Sequence, residues 1–343
     1  MKPQLGNYVY SHLLSVYQAS HPEDIDSAIK IAFTKLDYDI TFGAKDRILK
    51  ARSKSLAAQL LAPAIAGSCA LLAFYDNSTS ILRVACTGDS RAVLGRRDEK
   101  TGLWTLVPLS VDQAGDNPDE VTRINATHPN EESVISDGRV LGNLQPTRVF
   151  GDAEYKYPRE VSLGLREKYN ARNPSNRLLT PPYVTAEPEI TSTQIEPTKG
   201  DFVVMASDSL WECLSNEEVV GPVGLWLQKN RANGRPKQIE STGGSSWSAQ
   251  KLSVTPTALE TSRKANLLRV RQWQIDRKDD RFVVEDDNIA THLVRNALGG
   301  RNEDLMSSLI AMPPPNNRRF RDDFIVIVIF FGDNKISPFI AKL

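Results

Sequence analysis

The chain has 343 residues, of which 40% are hydrophobic and 24% charged, enough to bury a substantial core in one large domain or two small ones. Lys plus Arg and Asp plus Glu each number 42, so the formal charge is zero and no global basic field points to nucleic acid or to an anionic membrane. No run approaches the roughly 18 apolar residues of a membrane span, and the N-terminal region reads neither as a signal peptide nor as an Arg-rich transit sequence, which predicts a soluble chain without membrane insertion.

Residues 5–18 carry Leu5, Val9, Leu13, Leu14 and Tyr17 at helical spacing. Pro22 suits the first turn of a second helix, whose stripe is Ile25, Ala28, Ile29, Ala32, Phe33 and Leu36. From Cys69 the period changes: CALLAFY, ILRVACT, RAVLGR and WTLVPL read as a four-stranded antiparallel meander, with Gly88-Asp89-Ser90 as the bend between its second and third strands. Asn117-Pro118-Asp119-Glu120 supplies an N-cap, a first-turn proline and a capping glutamate for a helix running toward His128. Residues 138–152 predict a strand and a sharp turn, residues 153–180 are polar and aperiodic, and Tyr183–Ile190 returns to strand.

Phe202 to Ala206 is a short apolar run of the kind buried on both faces, and it ends on Asp208. Ser215 and Glu218 have capping-box spacing, so a helix should begin at Asn216. Residues 229–264 are rich in Ser, Thr, Gly, Lys and Gln and read as an insertion, which with the residues after it extends over about 229–280. Asp287 can cap a helix holding Ile289, Leu293, Val294 and Ala297, closed by Gly299-Gly300, in which His292 reads as a satisfied core or surface histidine. Asp322-Asp323 then opens Phe324–Phe331, a second run with the look of a fully buried strand. Cys69, Cys86 and Cys213 lie in or beside apolar segments without zinc-type spacing, and read as reduced core thiols.

Asp208, Asp322 and Asp112 each abut a strand terminus, where a rigid sheet can hold oxygen donors near one point. Oxygen-only ligation with no His or Cys nearby in sequence suits Mg²⁺ or Mn²⁺, and a metal-held water is a competent nucleophile toward phosphorus. Independent turn carboxylates are the competing reading. The chain has no Walker loop, no GxGxxG after a strand, no GxSxG and no HExxH.

GSCALLAFYD, LRVACTGDSRAVLG, LSVDQAGDNPDEVTRI, GRVLGNLQPTRVFGDAEYK, TAEPEI, VVMASDSLWECLSNEEVV and RDDFIVIVIFF occur in this order. In that order they resemble the signature blocks of the metal-dependent protein phosphatase 2C family of Ser/Thr phosphatases. LQPTRVFGDAEYKY, LLTPPYVTAEPEI, NIATHLVRNALGG and RRFRDD resemble more narrowly its pyruvate dehydrogenase phosphatase branch and fungal relatives. The resemblance implies an α+β fold, a four-layer α/β/β/α sandwich of two mostly antiparallel sheets flanked by helices. One domain would then run over 1–335, with a tail at 336–343. It implies two Mg²⁺ or Mn²⁺ ions, a phosphoprotein substrate, Asp208 and Asp322 as metal ligands, Asp112 as a further, weaker one, and structural roles for Asp89 and Asp152. Residues around 153–180 take the place of the family's variable flap beside the active site.

The sequence also departs from the family pattern. The family's phosphate-binding arginine, its Glu-Asp element and its Asp-Gly-His-Gly-Gly segment belong upstream of these blocks and are not among the 343 residues. Their absence predicts little or no phosphatase activity for the chain as written, and makes a non-catalytic binding or regulatory module the alternative. Ser209 stands where the family has glycine, a residue that tolerates positive φ where others do so at a cost of about 1 kcal/mol or more, which predicts strain in the turn that aims Asp208. Ile325 stands where the family has threonine or serine. The resemblance implies a mitochondrial location. Ala341-Lys342-Leu343 resembles a peroxisomal tripeptide read by an import receptor, with Pro338 favouring an extended tail.

Overall fold

The computed structural model describes residues 2–19, 24–169, 173–232, 254–255 and 282–332. Pro22, most of the 229–280 insertion and the whole 336–343 tail, including Ala341-Lys342-Leu343, lie outside the described residues. The chain forms two compact units that alternate in sequence. The first holds Met1–Phe74, Arg83–Ser90 and Ser110–Thr191, and the second Tyr75–Leu82, Arg91–Leu109 and Ser192–Leu343.

In the first unit, α1 (Lys2–Ala19) and α2 (Ile25–Ile40) pair through the two predicted stripes. Leu5, Val9 and Leu13 meet Ile29, Ala32, Phe33 and Leu36 in a core that also takes in Ala85, Phe150 and Ala186, while Leu14 faces solvent. Two helices without a prediction follow, α3 (Phe42–Leu49) and α4 (Lys54–Ile65). The second is capped by the Ser53 hydroxyl, which accepts from Leu56 N at 3.2 Å. The predicted helix toward His128 is α5 (Pro118–Thr127), and its Asn117 side chain accepts from Asp119 N at 3.0 Å. Ile135–Ser136 (β5) and Arg139–Val140 (β6) make a short hairpin around Asp137-Gly138, whose φ values of 52° and 70° are those of a type I′ turn. The polar stretch 153–180 is not irregular throughout. It contains α6 (Arg159–Tyr169), where Val161, Leu165 and Tyr169 form a stripe only one residue wide among charged positions, too narrow to register as periodicity.

The four predicted strands exist as β1 (Ala70–Asp76), β2 (Ile81–Thr87), β3 (Arg91–Arg97) and β4 (Trp104–Pro108), but they do not form one meander. β1 and β2 join β7 (Glu189–Gln194) in the order β1-β2-β7. β3 and β4 belong to a mixed sheet of order β10-β8-β3-β4-β9, with β8 at Phe202–Ala206, β9 at Val254–Thr255 parallel to β4, and β10 at Val326–Phe330. The chain therefore changes sheets at Gly88-Asp89-Ser90. A tight bend favours hairpin pairing, but β3 instead pairs over five residues with β8, from Arg91 against Ala206 to Gly95 against Phe202. Gly95 permits this: a Cβ there would lie 2.3 Å from the Phe202 ring. β7 begins at Glu189, not Tyr183, with Pro188 lacking a donor just before it and only a single bridge, Arg148 to Thr185, earlier in the segment.

In the second unit β8 is buried at all five positions, and α7 (Asp208–Cys213), α8 (Asn216–Ala232) and α9 (Ile289–Ala297) cover it with a core that includes Trp104, Phe202, Leu210, Trp211, Val219, Val223 and Leu293. The capping box ahead of α8 forms as predicted: Ser215 N donates to Glu218 Oε2 at 3.0 Å, and Glu218 N donates to Ser215 Oγ at 3.2 Å. The cap of α9 is Asn288, accepting from Thr291 N at 3.0 Å, rather than Asp287. Gly299 and Gly300 follow with φ of 130° and 58°. β10 is not fully buried. It lies at the edge of the described sheet, where Val326, Val328 and Phe330 pack on the core while Ile325 and Ile327 are 47% and 48% exposed.

Candidate functional site

Two of the three candidate ligands come to one end of one strand pair. Val326 lies opposite Ala206 in the antiparallel register of β8 and β10. Ser207 N donates to Ile325 O at 3.0 Å, carrying the ladder one residue past that pair, and Ile325 N donates to Ser207 Oγ at 3.1 Å. The exit of β8 and the entry of β10 are thus locked together where Asp208 and Asp322 stand. Two hydroxyls reinforce the lock: Ser207 Oγ is 3.1 Å and Ser209 Oγ 2.9 Å from Asp323 O, and the hydroxyls are 2.8 Å apart.

Asp208 is the first residue of α7, and its Oδ1 accepts from Ser209 N at 2.8 Å, a carboxylate at a helix N-terminus. Trp211 Nε1 donates to Ala206 O at 3.0 Å and Arg91 lies over the Trp211 ring at 5.2 Å, so α7 is held against the end of β8. Ser209 does not strain this turn. It is a helical residue and is not among the positive-φ positions, so the conformation in which glycine is favoured does not arise. Its hydroxyl makes a contact no glycine could make.

Asp322 Oδ1 accepts from Asp323 N at 2.8 Å and lies 3.8 Å from Arg318 Nε, with a third of the side chain exposed. Asp112 belongs to the first unit, half-buried in the loop ahead of α5, where its carbonyl accepts from Asn117 Nδ2 at 3.0 Å. The neighbouring Gln113 ties that loop to the sheet-changing bend, accepting from Gly88 N at 2.8 Å and donating to Cys86 O at 3.1 Å. Burial, and then the charge of Asp112, push the Cys86 thiol up to about 12, so it stays a protonated core thiol; Cys213 is likewise buried and Cys69 half-buried, neither in a disulfide. Asp89 accepts from Cys69 Sγ at 3.1 Å, and Asp152 sits at φ 44° under Gly67, where a Cβ would come within 2.2 Å of its Oδ2.

The donors fit a hard divalent cation in kind, being carboxylate and hydroxyl oxygens on rigid strand and helix ends. They fall short in number: among the described residues no group of three or more His, Cys, Asp or Glu is arranged to hold a metal ion.

Two polar knots in the first unit escaped the sequence reading. Glu120, read as a capping glutamate, is buried and gathers Arg148 at 2.7 and 3.0 Å, Arg123 at 2.7 Å and Thr147 Oγ1 at 2.6 Å. Burial acts to raise its pKa, but the hydrogen bonds from Arg123, Arg148 and Thr147 and the charge of Arg148 together outweigh it and hold the carboxyl down at about 2. Asp37 accepts from Lys156 Nζ at 2.8 Å with both oxygens, and from Gly151 N at 2.8 Å, tying α2 to the Phe150-Gly151-Asp152 turn. The only signal for either was a charged residue on an otherwise inward-facing position, which does not name its partner.

The protein phosphatase 2C family profile matches residues 8–242, and the chain belongs to that family. Its α+β fold, with mixed sheets flanked by helices, is the family's. The mitochondrial pyruvate dehydrogenase (acetyl-transferring) phosphatase 1 of Saccharomyces cerevisiae is 42% identical over 96% of this chain and 57% of its own length. A protein phosphatase 2C homolog of Schizosaccharomyces pombe is 40% identical over 83% of this chain and 58% of its own. The chain thus spans somewhat over half the length of these relatives. The crystal structure of serine-threonine phosphatase 2C from Toxoplasma gondii overlaps 76% of this chain and 73% of its own, with a TM-score of 0.41 and 17% identity.

Proposed function

We propose that this chain carries the metal-dependent Ser/Thr phosphatase site of its family, with Asp208 and Asp322 as carboxylate ligands of Mg²⁺ or Mn²⁺ and Asp112 as a further, weaker ligand. The observation that carries the reading is the common strand end on which Asp208 and Asp322 stand, fixed by the Ser207 backbone and hydroxyl. A bound ion would neutralise phosphoryl charge and supply a water of lowered pKa as nucleophile. The protein's own part is positioning. The start of α7 orients Asp208, Trp211 and Arg91 hold α7 in place, and the Ser207 and Ser209 hydroxyls keep both carboxylates from drifting apart. The substrate is a phosphoserine or phosphothreonine protein, and the likeness to the yeast enzyme supports a pyruvate dehydrogenase-like phosphoprotein and a mitochondrial setting. Ala341-Lys342-Leu343 supports a second destination through a peroxisomal receptor. Residues 1–335 would act as one phosphatase domain with an insertion at 229–280.

A second reading, a phosphatase-like module that binds without turnover, is favoured by the absence of any three-residue ligand group among the described residues. Titrating Mn²⁺ into the purified chain by calorimetry, alongside hydrolysis of a phosphothreonine peptide, separates the two. Asp208→Asn and Asp322→Asn should each weaken Mn²⁺ binding by at least about tenfold and lower turnover with it. Unaltered Mn²⁺ affinity in both variants refutes the ligand assignment; Mn²⁺ binding without turnover selects the module.

A further inference from the structure

Between α6 and β7, at the end of the stretch read as the family's variable flap, runs Arg177-Leu178-Leu179-Thr180-Pro181, in which Arg177, Leu179 and Thr180 are exposed while Leu178 is buried beside Ile124 of α5. Thr180 is exposed, yet its hydroxyl is the keystone of a buried knot. His128 Nδ1 lies 2.8 Å from Thr180 Oγ1, and the hydroxyl donates to Glu131 Oε1. Tyr183 OH donates to Glu131 Oε2 at 2.7 Å and accepts from Leu179 N at 2.8 Å and Thr180 N at 2.9 Å. The His128 and Tyr183 rings stack at 4.5 Å, and the Glu131 side chain is only 7% exposed. This constellation ties the loop to the C-terminal end of α5, and the Thr180 hydroxyl is the one exposed group whose proton it uses.

We propose that Thr180 is a phosphorylation site for a proline-directed Ser/Thr kinase and that its phosphate releases the 177–183 loop from α5. The local sequence offers such a kinase two handles, Pro181 directly after the acceptor and Arg177 three residues before it. The reaction takes the γ-phosphoryl of ATP. An Oγ1–P bond forms as the bond from phosphorus to the β–γ bridging oxygen breaks, ADP leaves, and the hydroxyl proton passes to the kinase's base. The product cannot keep the knot. A phosphate no longer donates to Glu131, and it sets about two negative charges against a carboxylate that is almost wholly shielded from water. The favourable partner is Arg177, exposed and now 3.4 Å from Ser136 Oγ, so the phosphate swings outward and draws the loop with it.

The test is to incubate the full chain with a proline-directed kinase and ATP, locate the phosphate by mass spectrometry, and follow amide exchange at Leu179, Thr180 and Tyr183. Thr180→Val serves as the chain that cannot be modified. Phosphate at Thr180 is expected with amide exchange at least about tenfold faster at those positions. In the Glu131→Gln chain, where the buried charge is gone, the acceleration should be smaller. A folded chain that takes phosphate elsewhere but not at Thr180 overturns the site. Phosphate at Thr180 with unchanged exchange overturns the release.

Discussion

Replacing Glu120 by Gln keeps the side chain's size and removes its charge from beneath two arginines. The folded-state carboxyl titrates at about 2 against an ordinary 4.5. At about 1.4 kcal/mol per pH unit that difference corresponds to about 3 kcal/mol at neutral pH. The independent expectation for removing one member of a buried ion pair is about 3–5 kcal/mol. The lower end applies, because Arg148 keeps Glu187 O at 3.0 Å and Glu189 at 2.9 Å. Since the folded value lies below the unfolded one, the contribution is fully present above pH 4.5 and is lost as pH falls through about 2. Urea unfolding of the two chains, followed by circular dichroism from pH 7 to pH 3, should show a gap near 3 kcal/mol that narrows below pH 4.5. A second chain, Glu120→Leu with Arg148→Met, should be less destabilised than Glu120→Gln, because it leaves no buried guanidinium without its anion. A gap under about 0.5 kcal/mol at pH 7, the scatter of an ordinary surface change, refutes the knot as a stabilising element. So does a gap that stays constant to pH 3.

His292, fully buried, is pushed down to about 4 by burial, against the pull of Asp286 3.8 Å away. On acidification the unfolded chain takes the proton first, so stability holds above pH 6.5 and about 3 kcal/mol is lost as pH falls to 4. The same pH series on His292→Gln should lack that loss, and a parallel decline in both chains excludes His292 as its source. Ser209→Gly should destabilise the chain by about 1–2 kcal/mol in urea melts, from a lost hydroxyl contact and glycine's cost within a helix. A stabilised Ser209→Gly would mean that the turn is strained after all. Gly95→Ala should cost about 1–3 kcal/mol, since the added methyl meets the Phe202 ring in the core, and an unchanged midpoint would show that β3 and β8 can part to admit it.

What the chain reveals residue by residue follows how far apart the partners lie. The box at Ser215 and Glu218, the cap at Asn117 and the stripes of α1 and α2 are built within a turn or two, and each was legible with its correct boundary or nearly so. The Asp287 cap missed by one residue, because Asp and Asn are equally good caps and only the backbone decides between neighbours. Pairing between strands was much less legible. RAVLG could follow its bend into a hairpin with β2 or pair with a segment over a hundred residues away, and five-residue alignment with the buried β8 prevails. β10 looks like β8 in composition, and only its place at the sheet edge distinguishes a half-exposed strand from a buried one.

The same distinction governs the candidate site. A strand ending in a carboxylate can be read from the sequence at Asp208 and again at Asp322, but their nearness depends on the register that sets Val326 opposite Ala206. A slip of one residue would turn every side chain of β10 to the other face, burying Ile325 and Ile327 and exposing Val326 and Val328. It would also move the start of β10 along β8 by one residue, and with it Asp322. Register is therefore where the core and the candidate ligands depend on one another: the packing of Val326, Val328 and Phe330 fixes where Asp322 stands. Ser207 bonds across that end through both backbone and hydroxyl, and Ser209 adds a second hydroxyl to Asp323. These serines act as register pins, and Ser209, a departure from the family's glycine, strengthens the geometry that it was expected to strain.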